Sequence, residues 1–200
     1  MEHLRRLLPK LKAKKILILG DLMLDEHIWS KVSRISPEAP VPVAEVSSIT
    51  HVPGGAGNVA VNITELGGKP YIIGIIGTDS SGGKLLSALR RNKISTKYII
   101  IDKHRPTILK SRIIAVSQHV VRVDREDKNP IGENLTKKVL PIIKSVIKKV
   151  DAVLISDYGK GIVTPKISRT LIAFSKKYKI PVAVDPKGSN YSKYKGATII

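Results

Sequence analysis

Gly54, Gly55 and Gly57 stand together with Asn58 directly behind them, ahead of a segment in which Val59, Ile63 and Leu66 recur at helical spacing. Glycines in that position let a backbone approach a ligand with no Cβ between. A helix starting there offers unpaired N–H groups at the positive end of its dipole. Hydroxyls or phosphates of a small molecule suit such a place. Asn58 can cap the helix, or its amide can reach the ligand. The spacing Gly55-x-Gly57-x-x-Ala60 also satisfies the letter of a dinucleotide fingerprint. That fingerprint requires an apolar strand running into its first glycine, and Thr50-His51-Val52-Pro53 is not one.

Four aspartates form a second set. Asp21, Asp79, Asp157 and Asp185 each close an apolar run: Ile16–Leu19, Ile72–Ile76, Val153–Ile155 and Val182–Val184. An aspartate after a strand usually caps a helix. Asp79, followed by Ser80-Ser81-Gly82, fits that role. Asp157 does not, because the next helix has its own start at Thr164-Pro165, and Asp185 runs into Pro186-Lys187-Gly188. Asp157 and Asp185 are therefore candidates for ligand contact, with Lys160 and Lys187 beside them.

Runs apolar throughout are strands buried on both faces. Helical patterns lie between them at 55–67, 82–92, 132–149 and 165–178, and this alternation predicts an α/β fold with a doubly wound, mainly parallel sheet and helices on both faces. Ligands of such sheets gather at the carboxyl ends of the strands, where the aspartates stand. Two stretches break the alternation. Residues 24–46 hold too many prolines for helix and read as two short extended pieces. Residues 107–124 read as a hairpin turning near Ser117-Gln118. Both suit a small β lid whose free edges would make a homodimer plausible. Lys110 and Arg112, two apart on one arm, share a face; they either clamp a phosphate or sit in solvent.

Composition sets bounds. The 200 residues suit one domain, cysteine is absent, and no apolar run reaches the length of a membrane span, so a cytoplasmic protein without membrane partner is expected. The formal charge of +19 invites a nucleic-acid reading. However, Lys137, Lys138, Lys144, Lys148 and Lys149 alternate with apolar residues as the wet face of a helix, and few aromatics exist to stack on bases. No nucleic-acid partner is expected; small anions are. At the start, Leu4, Leu7, Leu8 and Leu11 fit a short helix packed on the domain.

The run from Gly54 to Ala60, with Gly67 and Gly77 at matching distances, resembles the first sequence pattern of the ribokinase-like (PfkB) carbohydrate kinases. Within them, Gly20–Asp25, the run SRISPEAPVPV at 33–43, Ser156–Gly161 and Asp185–Gly188 resemble the kinase domain of bifunctional heptose 7-phosphate kinase/adenylyltransferases. The resemblance implies ATP, with Mg2+, as phosphoryl donor, and a heptose 7-phosphate as acceptor at its anomeric hydroxyl. It implies sugar contacts from Asp25, Gly54, Gly55 and Asn58, with Asp157 and Asp185 facing the sugar. Arg34, Lys110, Arg112 and Arg122 are candidates for the acceptor's own phosphate, and Lys160 and Lys187 for charge on the moving group; no resident metal site is expected. Members carry a later Gly-Ala-Gly-Asp run whose aspartate is the general base, and this sequence has none. The expectation is a partial domain spanning 1–200, with lid segments at 24–46 and 107–124 and a base beyond Ile200, inactive alone. Kinases of another sugar or nucleoside, and a non-catalytic sugar-phosphate binder, are the alternative readings.

Overall fold

The computed structural model describes residues 9–10, 12–116 and 118–200. Leu4, Leu7, Leu8 and Leu11 of the expected first helix lie outside the described residues, as does Ser117 in the expected hairpin turn.

Five strands form a parallel sheet in the order β5-β4-β1-β8-β9: β1 (Lys15–Gly20), β4 (Lys69–Gly77), β5 (Ile99–Asp102), β8 (Ala152–Ser156) and β9 (Val182–Asp185). Helices α1 (Ala56–Glu65) and α2 (Ser80–Arg91) cover one face; α3 (Glu133–Val146) and α4 (Pro165–Lys177) cover the other. The period of two explains the layering. Leu17 and Leu19 pack toward α3 and α4 while Ile18 packs toward α1 and α2, and all three are 0% exposed. Each such side chain contributes about 1.5–3 kcal/mol by leaving water. The chain first runs outward from β1 through β4 to β5, then returns to the other flank of β1 with β8 and β9. The strand order thus reverses at β1, which places the crevice of a doubly wound sheet beyond Gly20 and Ser156.

Strands β2 (Leu22–Ile35), β3 (Pro42–Gly55), β6 (Ile108–Ala115) and β7 (Gln118–Arg125) build a second sheet in the order β3-β2-β6-β7. Its two longest strands have 14 residues each, longer than the short pieces expected, because the prolines of 24–46 fall outside their interiors. Pro37 and Pro40 lie in the connecting loop, and Pro42 opens β3. β2 leaves the first sheet directly after Asp21, and β3 returns through Gly54 and Gly55 into α1. The glycine turn is therefore also the hinge between the two sheets.

Candidate active site

Asp21, just after β1, is 2% exposed and accepts backbone N–H bonds from Tyr158 (2.8 Å), Lys160 (3.1 Å) and Ile162 (3.4 Å). Burial pushes its carboxyl up, against those bonds, and the nearby Asp157 charge adds to the rise. Asp21 folds the loop after β8 into a closed turn across the strand ends. Asp157 is 3% exposed. Its Oδ1 accepts from the Gly159 N–H at 2.7 Å, while its Oδ2 receives Lys193 Nζ and the Tyr194 hydroxyl. Burial comes first in pushing the Tyr194 phenol far above its ordinary value, with the Asp157 carboxylate next. Asp185 closes β9 exposed, and its carbonyl accepts the Asp157 N–H at 3.0 Å. Asp157, Gly159, Gly161, Lys187, Gly188 and Lys193 help line a cavity of ≈ 460 Å³ at these strand ends. Lys128 also lines it, so three lysines face one carboxylate there.

The second sheet brings a charged face to the same region. Register pairs Asp25 with Lys110, Lys110 with Asp124, and Arg112 with Arg122, which places these side chains on one face. Arg112 Nη1 donates to Asp25 Oδ1 at 2.6 Å. A Cβ on Gly54 would come within 2.4 Å of Asp25 Oδ2, so glycine is required for that carboxylate to lie against the turn. Gly55 has φ 53°, in the left-handed region. Lys110 Nζ donates to Asp124 Oδ2 at 2.9 Å, and Arg122 Nε stands 2.9 Å from Asp124 Oδ1. The hydrogen bond from Lys110 leads in holding the Asp124 carboxyl below its ordinary value. Lys160, from the first sheet's loop, donates to Glu126 Oε1 at 2.7 Å. The field of the two sheets meets at Tyr158. Burial raises its phenol, and the charges of Asp185, Asp25 and Asp21 add to that against a lowering hydrogen bond with Ser156.

The structure thus gathers the candidates into two neighbouring sets. Asp157 and Lys187 line the strand-end cavity. Asp25, Gly54, Lys110, Arg112 and Arg122 belong to the second sheet's face, and Lys160 ties to that face through Glu126. Asn58 does not cap: Gly55 holds the N-cap position without a side-chain bond, and Asn58 is exposed in the first turn of α1. Arg34 stands apart. It is nine residues from Asp25 along β2, roughly 30 Å in an extended strand, is 61% exposed, and lies 3.8 Å from Glu45. Asp79 caps α2 by accepting from the Gly82 N–H at 2.9 Å. Glu126, Asp124, Lys193 and Tyr194 carry no motif that would single them out. Asp21 had the signal of an aspartate after a buried strand. A larger hollow of ≈ 600 Å³, lined by Thr78, Asp102, His104 and Glu133 among others, holds none of the candidates. Among the described residues no three His, Cys, Asp or Glu cluster as metal ligands would. None of their helices is long and apolar enough to cross a membrane.

Comparison with known proteins agrees with this architecture. The chain is 44% identical over 187 residues to bifunctional protein HldE of Helicobacter pylori strain J99, covering 94% of this chain and 40% of that protein. It is 46% identical over 185 residues to bifunctional protein HldE of Wolinella succinogenes, covering 92% of this chain and 39% of that one. The chain therefore spans about two-fifths of the length of these relatives. A carbohydrate kinase from Agrobacterium tumefaciens superposes with a TM-score of 0.66 at 21% identity, covering 86% of this chain and 53% of that one. Arabidopsis thaliana ribokinase complexed with ribose and ATP does so at 0.60 and 16% identity, covering 88% and 55%. The family model of the pfkB carbohydrate kinases matches residues 13–198, and the chain belongs to that family.

Proposed function

We propose that the chain is the acceptor-binding part of an ATP-dependent kinase that phosphorylates D-glycero-D-manno-heptose 7-phosphate at its anomeric hydroxyl, giving the 1,7-bisphosphate. This serves ADP-heptose and lipopolysaccharide synthesis in the cytoplasm. The observation that carries the reading is the meeting of two charge patterns at one place, acids at the strand ends of the first sheet and a face bearing Lys110, Arg112 and Arg122, with their paired carboxylates, on the second. A phosphorylated polyol needs both. Asp25, Gly54, Gly55 and Asn58 take the sugar, since a carboxylate and an amide between them accept from and donate to neighbouring hydroxyls. Asp157 and Asp185 border it at the strand ends. Lys110, Arg112 and Arg122 receive its phosphate through charge-assisted hydrogen bonds, and Lys160 adds a fourth cation. Arg34 reaches such a ligand only if the distal end of the second sheet is brought to a site, within one chain or between two.

The residues around the strand-end cavity fit a polyphosphate. Three lysines beside one carboxylate, Asp157, favour an anion. ATP bound there would supply the phosphoryl group, with Mg2+ arriving on the nucleotide, and Lys187 would neutralise charge on the moving group. The general base is assigned to none of the 200 residues. Asp21 and Asp157 are buried with their oxygens occupied, and Asp25 is paired with Arg112. On this reading the chain binds sugar phosphate weakly and transfers nothing alone.

The second sheet also supports self-association. Ile49, Ile28, Ile113 and Val121 form one cross-strand row, and Ile49, Val121 and Val123 are about half exposed. A homodimer through this sheet would cover them.

Thermal stability with added ligand tests the substrate assignment. At 100 times its Kd, a ligand of the native state stabilises by about 2.7 kcal/mol, a shift of roughly 5–11 °C for a chain of this size. Heptose 7-phosphate should shift the midpoint more than ribose or adenosine at equal concentration. An equal or larger shift with ribose or adenosine overturns the assignment in favour of another sugar or nucleoside.

A further inference from the structure

Glu126 follows β7 and has no part in any motif, yet the candidate Lys160 ends on it, and Lys110, whose hydrogen bond goes to Asp124, lies within ion-pair distance of it. Its side chain is 8% exposed, and those of Lys110 and Lys160 are 13% and 12% exposed. Oε1 accepts from Lys160 at 2.7 Å and lies 3.0 Å from Lys128 Nζ. Oε2 lies 2.6 Å from Lys160 Nζ and 3.6 Å from Lys110 Nζ, without a well-directed hydrogen bond. Burial pushes this carboxyl up. The hydrogen bonds from Lys160 and Lys128 and the charges of Lys110 and Lys160 outweigh it, so the group is held below its ordinary value and ionised.

The two lysines come from different sheets. Lys110 belongs to β6 of the second sheet, and Lys160 to the loop that Asp21 holds across the first. The chain after Glu126 is itself fastened. Arg105 Nη2 donates to the carbonyls of Asp127 (3.1 Å) and Asn129 (2.9 Å), and Ile131 N–H donates to the Gly161 carbonyl at 3.0 Å. The carboxylate is therefore a fixed post to which two flexible cations are drawn. A free lysine loses on the order of 2 kcal/mol of rotamer entropy on being ordered. A post that orders two beforehand lowers what a ligand must supply. Each ammonium has three N–H donors, so a partner carboxylate leaves donors over for a phosphate.

We propose that Glu126 is a positioning residue for phosphate recognition, presenting Lys110 and Lys160 as a pair to the phosphate that the acceptor already carries. The inference rests on the assignment of a phosphorylated acceptor above. It gives Glu126 no contact with the reacting atoms and assigns it discrimination between a phosphorylated sugar and the same sugar without phosphate.

The test is the affinity of the chain for D-glycero-D-manno-heptose 7-phosphate and for unphosphorylated D-glycero-D-manno-heptose, by calorimetry, in the parent, Glu126→Gln, Lys160→Met and the double variant. Glu126→Gln keeps shape and removes the charge. The expected result is about a tenfold fall in preference for the phosphorylated sugar, with affinity for the unphosphorylated one unchanged. Lys160→Met should cause a similar fall, and the double variant should lose less than the two single changes added together, because Glu126 acts in part through Lys160. Glu126→Asp should recover part of the preference. Equal weakening of both sugars would make Glu126 merely structural, and tighter binding of the phosphorylated sugar would make it a competitor for the lysines; either overturns the proposal while leaving the substrate assignment intact. A parent that does not prefer the phosphorylated sugar at all removes the assignment and this inference together.

Discussion

Gly161→Ala is the substitution that the geometry of the strand-end loop forbids most strongly. Gly161 has φ +100°, and a Cβ there would lie 2.1 Å from the Asn129 carbonyl oxygen and 2.9 Å from its carbon. Both obstacles are backbone, so no side chain can swing away. The left-handed backbone costs an alanine about 1–2 kcal/mol, and forcing the two segments apart adds about 1–3 kcal/mol. The sum is about 2–5 kcal/mol, a fall in midpoint of roughly 4–20 °C for a chain of this size. Displacing Asn129 also strains the Arg105 bonds and the Ile131–Gly161 bond, so the damage should concentrate in 126–131 and 158–163. Urea denaturation reads the loss as a lower midpoint at unchanged slope. Gly83→Ala is the internal control. Gly83 lies within α2 with open space around its missing Cβ, so alanine there should stabilise by about 0.5–1 kcal/mol. A loss below 1 kcal/mol for Gly161→Ala, or equal effects at the two glycines, would refute the close approach of these loops.

The remaining predictions concern charge and association. In a double-mutant cycle of Asp25→Asn and Arg112→Met, the pair at 2.6 Å should show a coupling of about 1–3 kcal/mol in urea denaturation; additive effects would mean that the two groups do not meet. Glu26, Asp79, Asp124 and Glu126 are all held below their ordinary values in the fold. Each binds its proton more readily when the chain is unfolded, so the stability that they contribute is complete above about pH 4–5 and is lost as pH falls through their lowered native values. Asp21, raised by burial, works in the opposite direction and blunts the loss; stability that rises on acidification below pH of about 4 would contradict this balance. Ile49→Glu, on the exposed face of the second sheet, should convert a dimer to monomer in sedimentation equilibrium without lowering the urea midpoint of the monomer. A monomeric parent at all concentrations would dismiss association through that face.

The first sheet was legible because strands buried on both faces write themselves as runs such as Ile16–Leu19 and Ile72–Ile76, closed by Gly or Asp. The strand Ile99–Asp102 escaped notice although it is written like the others, with Ile99, Ile100 and Ile101 closed by Asp102. The Thr164-Pro165 start of α4 and the Asp79 cap followed from local rules that act within four residues. Long-range pairings were not legible. Nothing in Glu126, Lys193 or Tyr194 marks them as partners of Lys160 and Asp157, since that matching is made only when β7, the loop after β8 and the 192–194 turn are folded together. Residue type alone could not remove Arg34 from the phosphate candidates either. Only the 14-residue length of β2 separates it from Asp25. In the reverse direction, Val59 and Ile63 suggested the buried face of α1, whereas the small residues Ala56, Gly57 and Ala60 are the buried ones, which brings the helix close to the sheet.

The central claim is that a sugar phosphate lies where the second sheet's charged face meets the strand ends of the first. Backbone amide chemical shifts of the uniformly labelled chain, titrated with heptose 7-phosphate, test it most directly. The account predicts perturbations at 21–25, 54–58, 110–112, 157–161 and 185–188 that saturate together with a single affinity. Shifts confined to the hollow around Asp102 and His104, or spread over the lysine-rich outer face of α3, would contradict it.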